Sequence, residues 1–463
     1  MKCWGTAIVI VIAILVTTSG YEGRGEDCAD IENVVVIFVD TLAAQHLGFM
    51  GYERETSPVI DEFASRSVIF NNAYTPKSTT CPAYISFLSG LHPADHGVLE
   101  NGVILPDDIH LLTDDLRHDG CAAWGIPAAR VLDGRYGFRR GFDYYANTPA
   151  IPHDANEITN RIERILDGNP LLGEPELSDT EGPLFLLIHF YDTHTEYTPD
   201  DDIRELFCDP FYDGIVDGTW AQFEKFNNRE IWFDDSDLRH ARDLYDAEIR
   251  TFDRNLEHLF DLLTRTGLMD NSLIVFTADH GENLGEHQFI THGHPYESSL
   301  HIPLLFHFPG DAWGGMRIDT LVELTDVMPT ILDLFDMKSP VGIDGSSMLS
   351  LIDLDSDGIY IEGEHLYSIG NPTVHGRTHS IFDGTYRLIA EFSEHGNVDI
   401  RGDVMLYDIP IDPTENFNLI DTRWLDLERM APVLGRFVVA ASEGHMPDPT
   451  PETREMLASL GYL

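Results

Sequence analysis

The chain has 463 residues, 43% of them hydrophobic, which is enough for one large domain with a smaller companion and far from the composition of a disordered segment. Its 79 acidic and 29 basic side chains give a net charge of −50, a field that repels phosphate backbones and acidic lipid, so no nucleic-acid partner is expected and anionic membrane surfaces are poor partners. Only four basic residues are lysines (Lys2, Lys77, Lys225 and Lys338), and the composition reads as adaptation to a high-salt medium, where a Debye length of about 3 Å at molar salt removes the self-repulsion.

In chain order, MKCWGTAIVIVIAILVTTSG (1–20) places one lysine before an apolar run over 7–16. The run is shorter than the roughly 20 residues of a comfortable membrane span and fits the core of a secretory signal; an uncleaved anchor, giving a membrane tether, is the alternative. Either reading puts the protein outside the cytoplasm, with 21–31 as a linker. Four cysteines follow Cys3 (Cys28, Cys81, Cys121 and Cys208), too few for a disulfide scaffold and not spaced as a zinc cluster.

ENVVVIFVD (32–40) is a β-branched run ending in Asp40, the pattern of a buried strand that delivers a carboxylate at its carboxyl end. SPVIDEFASRSVIF is helical and then strand-like. GPLFLLIHFYDTH (182–194) and NSLIVFTADHGE (271–282) are two further buried strands, ending in Asp192 with His194 and in Asp279 with His280. A long helical stretch, LRHARDLYDAEIRTFDRNLEHLFDLLTRTG, separates them and ends on a capping glycine. HIPLLFHFPG is a strand and LTDVMPTILDLFDM a helix. Alternating strands and helices predict an α/β domain over 32–345, with ligands gathered beyond the strands' carboxyl ends. From 346 to 463, IYIEGEHLYSI, RTHSIFDGTYRLIAEF and DVMLYDI read as short strands with a turn at Asp383–Gly384, followed by a helical tail: a small antiparallel C-terminal subdomain.

The strand ends at Asp40, Asp192/His194 and Asp279/His280, the threonine-rich turn at 78–80, and His287, His292 and His294 just downstream together describe a divalent-metal site in a hydrolytic pocket. Any one of these residues alone has an ordinary structural reading, as a helix cap or a satisfied core histidine. Their recurrence at strand ends favours the site.

The segments VDTLAAQHLGFMGYERETSPVIDEFASRSVIFNNAYTP, TTCPAYISFLSGLHPADHGV and FTADHGENLGEHQFITHGHPYESSLHIPLLFHFPG, with LYDIPIDPTENFNLI and LASLGYL further on, resemble the sulfatase family of the alkaline phosphatase superfamily from about residue 32 to the C-terminus. The resemblance implies a large mixed central sheet flanked by helices and a small four-stranded C-terminal unit. It implies Asp40, Asp279 and His280 as metal ligands, His194 as a contact to the ester oxygens or leaving group, and His292 at a position where the family carries lysine or histidine toward the same anion.

The family's nucleophile lies in C-x-P-x-R or S-x-P-x-R before A-S-L-L-T-G. Anchoring on ISFLSG puts Pro82 on the motif's proline, so Thr80 takes the nucleophile position, Tyr84 the arginine position, and Cys81 becomes a buried neighbour. Threonine carries a methyl on Cβ, so no formylglycine is expected, and its hydroxyl has to be ionised as a fourth ligand of the metal. The implied cofactor is one divalent ion (Mn, Zn, Mg or Ca), with imidazole favouring Mn or Zn. A second ion held by Asp192, His194 and His292 or His294 is a variant; otherwise Tyr84 and His294 are substrate-binding positions. His287, His96 and Arg377 have supporting or surface readings. The substrate is a small-molecule or glycan sulfate or phosphate ester, and the chemistry is hydrolysis through a covalent Thr80 intermediate. A phosphodiesterase, or a phosphoglycerol- or phosphoethanolamine-type transferase acting on lipids or surface glycans, is the alternative.

Overall fold

The computed structural model describes residues 31–148, 154–171, 173–175, 182–352, 365–372, 377–392 and 404–443. The N-terminal signal or anchor (1–20), most of the linker, the first half of IYIEGEHLYSI and the terminal LASLGYL lie outside the described residues.

Eight strands form the central sheet: β1 (Asn33–Val39), β2 (Val68–Phe70), β3 (Ala122–Ile126), β4 (Tyr144–Tyr145), β5 (Leu184–Phe190), β6 (Ser272–Ala278), β7 (Leu304–His307) and β8 (Arg317–Ile318). Their order across the sheet is β8-β2-β7-β6-β1-β5-β3-β4. β1 is central and runs parallel to both β5 and β6. β7 runs antiparallel to its neighbours, which makes the sheet mixed. Every residue of β1, β5 and β6 is buried, so each reads in the sequence as a nearly continuous apolar run, not an alternation.

Because these three strands are parallel neighbours, their carboxyl ends open on one edge. Asp40 follows β1 and donates its N–H to Phe190 O at the end of β5 (2.9 Å), while Asp279 follows β6 and donates to Val39 O (3.3 Å). The two acids are thereby set side by side by backbone register alone.

The long helix Asp235–Arg265 starts on Asp234, whose side chain accepts from the Ser236 and Asp237 N–H groups, and stops before Gly267 at φ +80°, a left-handed conformation suited to glycine. From its middle, the Tyr245 hydroxyl donates to Thr41 O (2.6 Å) and accepts from Ala43 N–H (2.9 Å). The helix therefore braces the loop that leaves Asp40.

The C-terminal strands β9 (Leu366–Pro372), β10 (Arg377–Phe382), β11 (Tyr386–Phe392) and β12 (Met405–Asp408) form an antiparallel sheet in chain order. The turn at Asp383–Gly384 joins β10 to β11, with Gly384 at φ +85°. The sheet and the helix Trp424–Glu443 share a core of their own, built on Tyr367, Ile369, Ile381, Leu388, Leu406, Met430 and Leu434. Met348 and Ile352, just past position 345, belong to the core of the large unit. No described helix is long and apolar enough to cross a membrane.

Candidate active site

Thr80 is the first residue of the helix Thr80–Ser89, all ten residues of which are buried. The positive end of the helix dipole therefore lies at Thr80. The register of this turn is fixed from outside the helix: Asn101 Oδ1 accepts the Cys81 N–H (2.9 Å) and the Cys81 thiol points to Val131 O (3.3 Å). Burial pushes that thiol's pKa up, so it remains a neutral, inert group. Asn101 reads as an ordinary turn residue in the sequence, whereas here it holds the backbone beside Thr80.

Asp40, Thr80, Asp279 and His280 are all completely buried. Asp279 Oδ1 is held by the N–H groups of Thr41 (3.1 Å) and His280 (2.7 Å), which leaves Oδ2 facing the cluster. His280 Nε2 lies 3.4 Å from Asp279 Oδ2 and 3.9 Å from Asp40 Oδ1. Its Nδ1 is 2.9 Å from Gly281 O and must carry the proton, because a carbonyl only accepts; Nε2 therefore presents its lone pair to the acids. Burial and then Asp279 push the Asp40 carboxyl well up, and burial brings Asp279 to about 7; the Thr80 hydroxyl beside them pulls both back down. Burial and the neighbouring His292 hold His280 well below the usual histidine range.

His292 and His194 continue the row of imidazoles, with ring centroids 4.5 Å apart for His280–His292 and 5.2 Å for His194–His292. Burial depresses His194 and His292 to about 3. His292 Nδ1 pairs with Glu282 Oε1 (3.1 Å), and Glu282 also accepts from the Tyr197 hydroxyl (3.3 Å). His194 donates from Nδ1 to Thr195 O (2.6 Å) and is stacked by Tyr191 and Trp220.

The remaining expected residues are placed as follows. Asp192 Oδ1 accepts the Ala155 N–H (2.8 Å) and so anchors the start of the helix Ala155–Leu166. Tyr84 packs edge-on between Phe38 and Phe138 in the core. His294 is edge-on to Phe289, and burial lowers it to about 4. His287 pairs with Glu415 (3.3 Å), His96 with Ser86 (3.1 Å), and Arg377 with Glu100 (2.6 Å). Among the described residues, the group whose ligand atoms all lie within 4.8 Å of one another is Asp40, Asp279 and His189, the last of which the sequence reading omitted.

The nucleophile turn is also tied to the C-terminal sheet. Asn371 Oδ1 accepts from Lys77 Nζ (2.8 Å) and Thr79 Oγ1 (2.9 Å), and Asn371 N–H donates to Gly293 O (2.6 Å), next to His292. Gly293 has φ +111°, and a Cβ there would stand 2.6 Å from Asn371 Nδ2. One asparagine thus spaces the turn before Thr80 from the loop that carries His292.

Both oxygens of Asp40, Asp279 Oδ2, Thr80 Oγ1 and His280 Nε2 are buried without a hydrogen-bond partner of ordinary geometry among the described residues. Two carboxylates, a hydroxyl and an imidazole lone pair, buried without such partners, are a donor set that a divalent cation would satisfy. Parallel strand ends, a buried helix N-terminus and this donor set define an ester hydrolase of the alkaline-phosphatase-like type.

The family described as Sulfatase matches residues 32–337, and one described as N-sulphoglucosamine sulphohydrolase, C-terminal, matches 285–430. An arylsulfatase of Clostridium perfringens is 24% identical over 447 residues, covering 84% of this chain and 90% of the relative. A choline-sulfatase of Rhizobium meliloti is 25% identical over 359 residues, 65% of this chain and 67% of the relative. Among solved structures, BT4656 in complex with its substrate D-glucosamine-2-N,6-O-disulfate matches with a TM-score of 0.71 at 16% identity, over 90% of this chain and 99% of its own. The phosphonate monoester hydrolase of Agrobacterium radiobacter matches with a TM-score of 0.68 at 18% identity, over 89% and 95%. The chain belongs to the sulfatase family, as its motifs implied, and is a sulfuric ester hydrolase.

Proposed function

We propose that this protein hydrolyses sulfate monoesters of small molecules or glycans, or the isosteric phosphate and phosphonate esters, at a divalent-metal site with Thr80 as nucleophile. The observation that carries the reading is that Thr80 Oγ1, the free oxygens of Asp40 and Asp279 and His280 Nε2 are all buried without ordinary hydrogen-bond partners, with the Thr80 hydroxyl beside both acids and His280 Nε2 3.4 Å from Asp279 Oδ2. Asp40, Asp279, His280 and Thr80 would hold the ion. When bound, it supplies positive charge that acidifies the Thr80 hydroxyl and offsets charge on the ester's non-bridging oxygens.

Thr80 Oγ, its proton given up to water once the hydroxyl is acidified, attacks sulfur or phosphorus in line with the departing oxygen. The bond from Oγ forms as the ester bond to the alcohol or phenol breaks. His194 is set to give the leaving oxygen its proton: Nδ1 is occupied by Thr195 O, so the proton it transfers is carried on Nε2 of the imidazolium, a form favoured once an anionic ester lies beside it. His292, oriented by Glu282, faces the same anion. Water then releases sulfate or phosphate from Thr80. The phosphoester branch is supported by the likeness to a phosphonate monoester hydrolase and by a nucleophile that cannot become formylglycine.

Parallel assays with an aryl sulfate, an aryl phosphonate monoester and a bis-aryl phosphodiester, each with Mn²⁺ or Ca²⁺, rank the substrates. Thr80→Ala is expected to lose at least about 10³-fold in kcat. A slow substrate is expected to leave one sulfo or phospho group on the peptide containing residue 80. Full turnover by Thr80→Ala, or an adduct on Cys81, overturns the reading.

A further inference from the structure

His189 is the next-to-last residue of β5, paired in register with Phe38 of β1, and none of its surface is exposed. Neither ring nitrogen has a hydrogen-bond partner among the described residues. A histidine retained only for packing would leave two buried polar atoms unsatisfied in a slot that leucine or phenylalanine fills without that penalty. Its surroundings point to another use. Nε2 lies 3.7 Å from Asp40 Oδ2, too long for a hydrogen bond. Two atoms each about 2.1 Å from one ion stand within about 4.2 Å of each other, so the separation suits two ligands of a common cation. On the other side of the same carboxylate, Asp40 Oδ1 lies 3.9 Å from His280 Nε2. Asp40 is therefore flanked by an imidazole at each oxygen, and one atom each from Asp40, Asp279 and His189 already fall within 4.8 Å of one another.

We propose that His189 is a further ligand of the cation held by Asp40 and Asp279, giving the centre two imidazoles on opposite sides of the Asp40 carboxylate. The inference rests on the metal-dependent reading above. It adds a chemical consequence: a site with two nitrogen donors prefers Zn²⁺, Co²⁺ or Mn²⁺ to Ca²⁺ or Mg²⁺.

The test uses the full chain freed of metal by chelation and titrated with Co²⁺, followed by calorimetry and by the visible spectrum of the bound ion. For His189→Leu and His189→Gln, the Co²⁺ Kd is expected to rise at least about tenfold and the visible bands to shift. Metal-free His189→Leu is expected to melt at or above the metal-free wild type, because leucine leaves no ring nitrogen unpaired, while losing most of the Co²⁺-dependent rise in Tm. Folded variants that bind Co²⁺ with unchanged Kd and an unchanged spectrum overturn the inference alone. A wild type that binds none of Co²⁺, Mn²⁺ or Zn²⁺ overturns the metal-dependent reading and this inference with it.

Discussion

Asp40 and Asp279 are packed together with no lysine or arginine paired to either among the described residues, so their burial is felt as a titration. Burial, and for Asp40 also the neighbouring carboxylate, raises both above the usual carboxylate range, Asp279 to about 7. The sign follows from linkage: a carboxyl whose folded pKa exceeds its unfolded value favours folding below about pH 4, and that contribution is lost as pH rises through the folded value near 7. The buried histidines His194 and His292, held at about 3, act in the opposite sense and favour folding as pH rises. The acids are therefore read in the effect of the ion: the rise in melting temperature given by saturating Mn²⁺ or Zn²⁺ is expected to be several degrees larger at pH 8 than at pH 5, where the acids hold protons. Melting curves with and without chelator at the two pH values check this; equal chelator effects at both would contradict it. The placement of the acids and His280 beyond strand ends, and of Thr80 at a helix start, was legible in the sequence because each lies within a spaced motif. His189 was not. It is one polar letter inside LFLLIHF, and only the strand order, which puts β5 next to β1, sets it against Asp40. The placement of Tyr84 was hidden for a similar reason: the motif gives its slot, but the rings of Phe38 and Phe138 that enclose it come from elsewhere in the chain.

Strands of the large unit were readable because β1, β5 and β6 are covered on both faces and so are nearly continuous apolar runs. The joint between the two sheets was not readable, since it depends on single charged residues far apart in sequence. Arg387, on β11, is 1% exposed, hydrogen-bonds Glu297 of the large unit (2.6 Å) and lies at ion-pair distance from Glu415 (3.3 Å), while its guanidinium lies over the Phe382 and Tyr74 rings. Burial pushes Glu297 up, but His301 and Arg387 outweigh it and bring its carboxyl down to about 2. Removing the cation strands two buried carboxylates, so Arg387→Met is expected to destabilise the protein by about 3–5 kcal/mol. The same joint carries Asn371 to the nucleophile turn and to Gly293, so kcat is expected to fall with KM less affected. Denaturant unfolding and steady-state kinetics on one preparation check both. A variant within about 0.5 kcal/mol of wild type would mean that the sheets are held together by their apolar contacts alone.

At the scale of the whole molecule, the charge of −50 and the small number of lysines set the conditions in which these local arrangements operate. Like charges spread over one compact surface repel more strongly than in the expanded chain, so the field favours unfolding wherever it is unscreened. Screening acts on exposed charges at distances beyond the Debye length, about 10 Å at 0.1 M and 3 Å at 1 M, and leaves dry pairs such as Arg387–Glu297 nearly untouched. The melting temperature is therefore expected to rise by on the order of 10 °C between about 0.1 M and 2 M KCl, with most of the gain at the low end where the screening length changes fastest. The penalty of Arg387→Met is expected to stay constant across that range, because it belongs to buried charges. A series in KCl beside one in sucrose separates screening from general exclusion of solute: sucrose strengthens burial but does not screen. A Tm that is flat in KCl, or that rises equally in sucrose, would show that the acidic surface is merely tolerated and that the fold gains no stability from concentrated salt.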